Sequence, residues 1–240
     1  MSNGISNLST IMRTRKISVI IPARNERANL TRLLPELLGM EGIHEIIVAD
    51  GQSDPGYEPP EMTGVTVLST KKGRAIQMNM AARFASGDIL WFLHADSIPD
   101  PGAGKAMRSA ISRGALGGCF SLFFYDADSA LLRYIARNSN RRAKHLRLIF
   151  GDQGLFVRRS VFVRLNGFQE IPIMEDWDFS IRLHRAGKVS VLKAPIGTSA
   201  RRFVEGGTLR TLLYMHSLKI RYILGVPPEK LAKNYREAKK

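Results

Sequence analysis

The chain has one cysteine, Cys119, in 240 residues. An intrachain disulfide is therefore excluded, and a reducing compartment suits the chain. No run of about 18 apolar residues occurs, so no membrane-spanning helix is expected. Residues 1–16 are polar, lack the apolar core of a signal peptide, and read as a loose leader. Cytoplasmic is the location these absences imply. Neither the Gly-x-Gly-x-x-Gly loop of dinucleotide binders nor the Walker loop of ATPases is present. Acids are scarce, 21 against 36 lysines and arginines, which leaves a formal charge of +15. Such an excess implies an anionic partner and says nothing about fold. It gathers in two places. Arg133, Arg137, Arg141, Arg142, Lys144 and Arg147 fall in one acid-free stretch, and the tail after Ser199 is basic again. No helix-turn-helix, zinc-finger or RNA-binding motif accompanies them, so nucleic acid is not the expected partner.

What is present is an apolar share of 44%, enough for the core of one large α/β domain. Residues 89–93, Ile-Leu-Trp-Phe-Leu, are five apolar residues in a row. They are too few for a helix and read as a strand buried on both faces, the central-strand pattern of a parallel sheet. Further strands are expected over 17–22, 45–50, 65–69, 117–124, 155–157 and 188–192. A helix is expected with Leu30, Leu33, Leu34, Leu37 and Leu38 on one face, Pro35 kinking it or marking a second start. Others follow the Lys71–Arg74 loop, cover about 104–112, cover 130–147 with Leu131, Leu132, Tyr134 and Ile135 as apolar face, and begin at Met174. After Gly206-Gly207, Leu209, Leu212, Leu213, His216, Ile220 and Ile223 share one face of a basic helix. Core packing is the expectation for most of that face, with contact to anionic lipid the alternative. A short basic helix ends the chain. Alternation of strands and helices, with one loop crossover, implies βαβ units.

Two of the strands end in acids, Asp50 and Asp96. A carboxylate there lies where open α/β sheets bind ligands, although each is also a fit turn cap. The Lys71-Lys-Gly-Arg74 loop precedes a helix N-terminus, where backbone amides and the dipole favour phosphate. Lys72 and Arg74 add charge, and Gln77 and Asn79 add polar groups. Solvated lysines on a capped helix fit the same loop. Glu175 and Asp176 stand in a first helical turn, where the helix dipole alone favours acids.

In order, these motifs resemble family 2 glycosyltransferases of the GT-A fold. They are Ser18-Val-Ile-Ile-Pro-Ala-Arg-Asn-Glu26, Ile47-Val-Ala-Asp-Gly-Gln-Ser-Asp54, Gly73-Arg-Ala-Ile-Gln-Met-Asn79, Phe92-Leu-His-Ala-Asp96, Gly151-Asp-Gln-Gly-Leu-Phe-Val-Arg-Arg159 and Pro172-Ile-Met-Glu-Asp176. The narrower likeness is to the small bacterial radical-SAM/selenodomain-associated "transferase 2" group. The resemblance implies a Rossmann-like, mostly parallel sheet flanked by helices in one domain over 17–240. Residues 17–100 would form the nucleotide-sugar half, 101–205 an irregular acceptor half, and 206–240 basic C-terminal helices.

It also implies roles. Pro22, Arg24 and Glu26 line the nucleotide pocket, and Asp50 accepts a hydrogen bond from the base. Ser53, Arg74, Gln77, Asn79, His94, Gln153, Arg201 and Arg202 complete the nucleotide-sugar site. Asp96 takes the place of the last acid of an Asp-x-Asp motif and holds Mg²⁺ or Mn²⁺ against the donor diphosphate. Asp176 stands where the family keeps its general base, with Glu175 beside it. The expected reaction is inverting transfer of a sugar to an acceptor hydroxyl, the acceptor being lipid-linked in one version of this reading. Here the motif is His94-Ala-Asp96, so one carboxylate is left for the metal. Mg²⁺ commonly uses one or two carboxylates with phosphates and waters. A non-catalytic basic binding module on the same scaffold is the alternative. A nucleotidyltransferase would need a glycine-rich loop after the first strand, and that loop is missing.

Overall fold

The computed structural model describes residues 15–237. The leader lies outside them apart from Arg15 and Lys16, as do the final lysines. The eight strands of the described residues form one sheet, ordered β3-β2-β1-β4-β7-β6-β8-β5. They are β1 (Ile17–Ala23), β2 (Ile43–Asp50), β3 (Val65–Ser69), β4 (Ile89–Phe92), β5 (Ile98–Pro99), β6 (Gly117–Phe124), β7 (Phe156–Arg158) and β8 (Val189–Thr198). β1 pairs in parallel with β2 and with β4, and β2 with β3. The chain moves outward from β1 to β2 and returns to its other side at β4. That reversal opens a crevice at the carboxyl ends of β1 and β4, the place where such sheets take ligands. Beyond β4 the sheet is mixed. β7 runs antiparallel to β4 and β6, β6 is parallel to β8, and β5 is antiparallel to β8.

The strand residues alternate between two cores. Val19, Ile21, Ile46, Val48, Ile89 and Trp91 face α1 (Arg27–Leu38) and α3 (Ala103–Ser112). Ile20, Ile47, Leu90, Phe92 and Val157 face α2 (Arg74–Phe84), α5 (Arg159–Arg164) and α6 (Glu175–Ala186). This two-sided burial is why the strands read as continuous apolar runs. The central one, as expected, is β4.

Several expectations are corrected. α1 is one helix running through Pro35, with no second start; the proline ring lies on its exposed side. Leu38 is not on the buried face, which Leu30, Leu33, Leu34 and Leu37 complete. In α4 (Ala130–Leu146), Leu132, Ile135, Ala136 and Ala143 are buried and Tyr134 points to solvent. β8 extends well past residue 192, because β6 pairs with it to Thr198. The short α7 (Arg201–Glu205) was not foreseen.

The largest difference concerns α8 (Thr208–Ile223). Leu209, Leu213, Ile220 and Ile223 are exposed rather than core, and His216 shares their side. The helix packs by its opposite side. Leu218 is buried there with Met174, Trp177 and Leu231 of α9 (Pro228–Glu237), and Tyr214, Met215 and Tyr222 are half-buried around them. Only Leu212 of the expected face packs inward, against Leu132, Ile135 and Ala200.

Candidate active site

The crevice is framed first by the loops after β1 and β2, which are knitted together. Arg24 donates to the Gln52 carbonyl and pairs with Asp54 at 2.8 Å. The Asn25 backbone N–H donates to Ser53 Oγ, its side-chain amide donates to Asp54 Oδ2, and its Oδ1 accepts from the Asp54 N–H. Asp50 accepts from the Ser53 N–H and hydroxyl. Asn25 and Gln52 both hold left-handed backbone conformations, uncommon for residues other than glycine and typical of functional turns. Pro22 and Glu26 are half-buried at the same edge, and Glu26 accepts from the Asn29 amide at 2.6 Å. Tyr57, which the sequence reading missed, joins them. Burial and the charges of Asp50 and Glu26 raise the pKa of its phenol, and the Glu26 backbone and the Arg27 charge oppose the rise.

Three of the expected site residues have their side-chain amides bonded within the chain. Gln77 is buried, and its amide donates to the carbonyls of Ala23 and Ala49, tying the ends of β1 and β2. Asn79 clasps Phe168 in both directions, donating to its carbonyl at 2.8 Å and accepting from its N–H at 2.9 Å. Gln153 is likewise fully buried, accepting from Arg142 and facing Asn140 behind the single 3-10 turn Gly151–Gln153.

The remaining residues converge. Arg74, at the start of α2, is bonded to Glu175 and lies 3.6 Å from Asp176 Oδ2 and 3.4 Å from His94 Nε2. Asp176 Oδ2 accepts from the Gly151 N–H at 2.7 Å, and Oδ1 accepts from the Trp177 N–H at 2.7 Å. A Cβ on Gly151 would lie 2.7 Å from His94 Nε2 and 3.4 Å from Asp176 Oδ2, so a larger residue here would displace the imidazole. Arg74, His94, Gly151, Glu175 and Asp176 line one small cavity, closed on its apolar side by Met78, Phe92, Leu155 and Phe168.

The electrostatics differ sharply within this group. Burial, helped by the neighbouring Glu175, pushes Asp176 up to about 6, while Arg74 and the two N–H donors restrain the rise. Burial and the charges of Arg74 and Arg202 bring His94 down to about 3, leaving it a neutral imidazole. Asp152, also missed from the sequence, has a buried Oδ1 without a hydrogen-bond partner. Its pKa is raised by burial, opposed by Arg142, Arg202, Arg74 and Lys219. The signal that marks it was available: it sits one residue after Gly151 in a quoted motif.

Asp96 stands half-buried in the turn after β4. Burial raises its pKa, and so do the charges of Glu26 and Asp152, while Arg201 lowers it. Arg201 and Arg202 thus reach the site from α7. Among the described residues no group of three or more His, Cys, Asp or Glu side chains forms a metal cage. A hard cation suits Asp96 nonetheless, because nearby acids raise the local negative potential and Mg²⁺ accepts most of its ligands from phosphate and water. The residues fit an ion shared with a bound diphosphate, not one caged by protein.

Backbone strain sits at the same place. Met174, just before Glu175, has φ of 69° although it is not glycine. Its side chain is buried with Trp177, Leu218 and Leu231, so packing of α8 and α9 holds the turn that presents Asp176.

The mixed, mostly parallel sheet flanked by helices is the GT-A glycosyltransferase architecture. A mannosyltransferase from Pyrobaculum calidifontis, solved in complex with GDP-Man and Mn2+, superposes with a TM-score of 0.57 at 19% identity, over 75% of this chain and 55% of that one. S. aureus TarS 1-349, in complex with UDP, gives 0.56 at 18%, over 79% and 62%. In sequence, the probable glycosyltransferase YdaM of Bacillus subtilis (strain 168) is 22% identical across 72% of this chain and 47% of that protein. The chain thus spans about half the length of that curated relative. The model of glycosyl transferase family 2 matches residues 18–165. The chain belongs to that family.

The clasp at Asn79 yields a test. Asn79→Ala leaves two backbone groups of Phe168 unpaired and lowers unfolding free energy by about 1–3 kcal/mol in a denaturant titration. Nucleoside diphosphate affinity measured on the folded variant stays unchanged.

Proposed function

We propose that this chain transfers a sugar from a nucleotide-diphosphate donor to an acceptor hydroxyl, with inversion at the anomeric carbon. The observation that carries this reading is Asp176: a buried carboxylate, fixed by two N–H donors, whose pKa of about 6 suits a general base near neutral pH. Family membership and structural neighbours solved in complex with GDP-Man and with UDP support a nucleotide-sugar donor.

The proposed division of labour follows from charge. Cleavage of the sugar–diphosphate bond leaves negative charge on the departing phosphate, and preformed positive groups aimed there lower the barrier. Arg74, Arg201 and Arg202 supply three of these from α2 and α7. Asp96 would hold Mg²⁺ or Mn²⁺, which when bound supplies Lewis-acid neutralisation of the diphosphate. Asp50 and Tyr57, beside the β1 and β2 loops, would contact the nucleobase. Asp176 accepts the acceptor's hydroxyl proton at Oδ1 or Oδ2 as the oxygen attacks the sugar, and one displacement inverts configuration. Glu175 holds Arg74 beside it. The neutral His94 and the unpartnered Asp152 oxygen are suited to sugar hydroxyls. Membership of the narrower "transferase 2" group is proposed on the motif set alone.

Two tests follow. In a donor panel assayed with Mn²⁺, Asp176→Asn lowers transfer or donor hydrolysis by about 10²–10⁴-fold while the thermal shift given by UDP or GDP survives. Because only the carboxylate accepts a proton, wild-type rates fall as pH drops below about 6. Full activity in the variant would remove Asp176 from the reaction. Separately, Asp96→Ala weakens nucleoside diphosphate binding in calorimetry with Mn²⁺ and leaves binding in chelator unchanged.

A further inference from the structure

The exposed side of α8 has no role in the chemistry above. Leu209, Leu213, Ile220, Ile223 and the following Leu224 are 57–76% exposed. At helical spacing they form one stripe, opposite the buried Leu218. Long apolar side chains aligned on a surface helix expose area that water disfavours, and contiguous patches of this kind mark interaction surfaces. The charges beside the stripe choose among partners. Arg210 and Arg221 fall along one border at 11-residue spacing, and no acid occurs from Gly206 to Pro228. An acid-free apolar stripe bordered by cations, on a chain of formal charge +15, complements an anionic lipid headgroup layer over an acyl interior.

We infer that the outer face of α8 seats in the interface of an anionic bilayer. No helix of the described residues is long and apolar enough to cross a membrane, so the contact is one of lying on the surface. The inner face of the same helix reaches the site. Leu218 packs with Met174 and Trp177, on either side of Glu175 and Asp176, and the Lys219 ammonium lies 5.2 Å from the centre of the Phe150 ring, next to Gly151. Seating α8 therefore brings the acceptor side of the crevice to the lipid surface, and the acceptor class this favours is a lipid-borne hydroxyl. That last step rests on the transferase reading; the membrane contact does not.

The test uses the full chain and sedimentation with extruded vesicles of phosphatidylcholine, alone or mixed with phosphatidylglycerol. Binding to the mixed vesicles at low salt is expected, weakening severalfold as salt screens the headgroups. Leu213→Ser/Ile220→Ser, with unchanged circular dichroism, is expected to weaken partitioning by at least about tenfold. Absence of sedimentation with mixed vesicles at low salt overturns the inference, and so does equal sedimentation of the double variant. A dimer in light scattering that the same substitutions dissolve, without vesicle binding, assigns the stripe to a second copy of the chain and also overturns it. Thermal shift with UDP and GDP on the same samples separates the two readings. Nucleotide binding without vesicle binding fells only the membrane contact, and vesicle binding without nucleotide binding fells only the transferase.

Discussion

The proposed chemistry depends on keeping one carboxylate buried, charged and aimed. Asp176 lies at the start of α6, where two backbone N–H groups and the helix dipole hold it, and Arg74 stands 3.6 Å away. A buried unpaired carboxylate would be costly and would simply take up a proton. A fully paired one would be too weak a base. Partial compensation leaves Asp176 near 6, between those limits. Glu175 is part of the same balance, since its charge raises Asp176 while its bond to Arg74 fixes the cation.

Distant segments are needed to maintain that balance. A side chain at Gly151 would crowd His94, which reaches it from the turn after β4, and would touch Asp176 of α6. Met174 must hold a left-handed conformation, and packing against Trp177, Leu218 and Leu231 keeps it there. The C-terminal helices thus stabilise a strained turn at the site as well as covering the sheet. A proposed membrane seat on α8 would act through the same packed layer.

Much of this was legible from residue order. The five-residue apolar run marked β4 as central, since burial on both faces leaves no polar alternation, and the acids ending β2 and following β4 marked the ligand edge. The antiparallel insertion of β7 between β4 and β6 was not legible, because its three residues carry no orientation signal. Polar type alone did not show what these side chains bond within the chain. Gln77, Asn79 and Gln153 sit in site motifs but their amides satisfy buried backbone or side-chain groups, a requirement invisible without the neighbours. Asp152 sits inside a site motif and was passed over there, whereas Tyr57 was missed because its burial beside Asp50 and Glu26 appears only in three dimensions. The stripe on α8 was seen in the sequence and assigned to the core. Periodicity identifies a shared face, and only packing tells which side of the molecule that face meets.

The state of Asp176 can be measured without knowing any substrate, by carbon-detected NMR titration of aspartate-labelled protein. One carboxyl is expected to titrate near pH 6, absent in Asp176→Asn and moved upward in Arg74→Met, where the restraining cation is gone. If every aspartate titrates in the ordinary carboxylate range, or the elevated signal persists in Asp176→Asn, a poised general base at this position is contradicted.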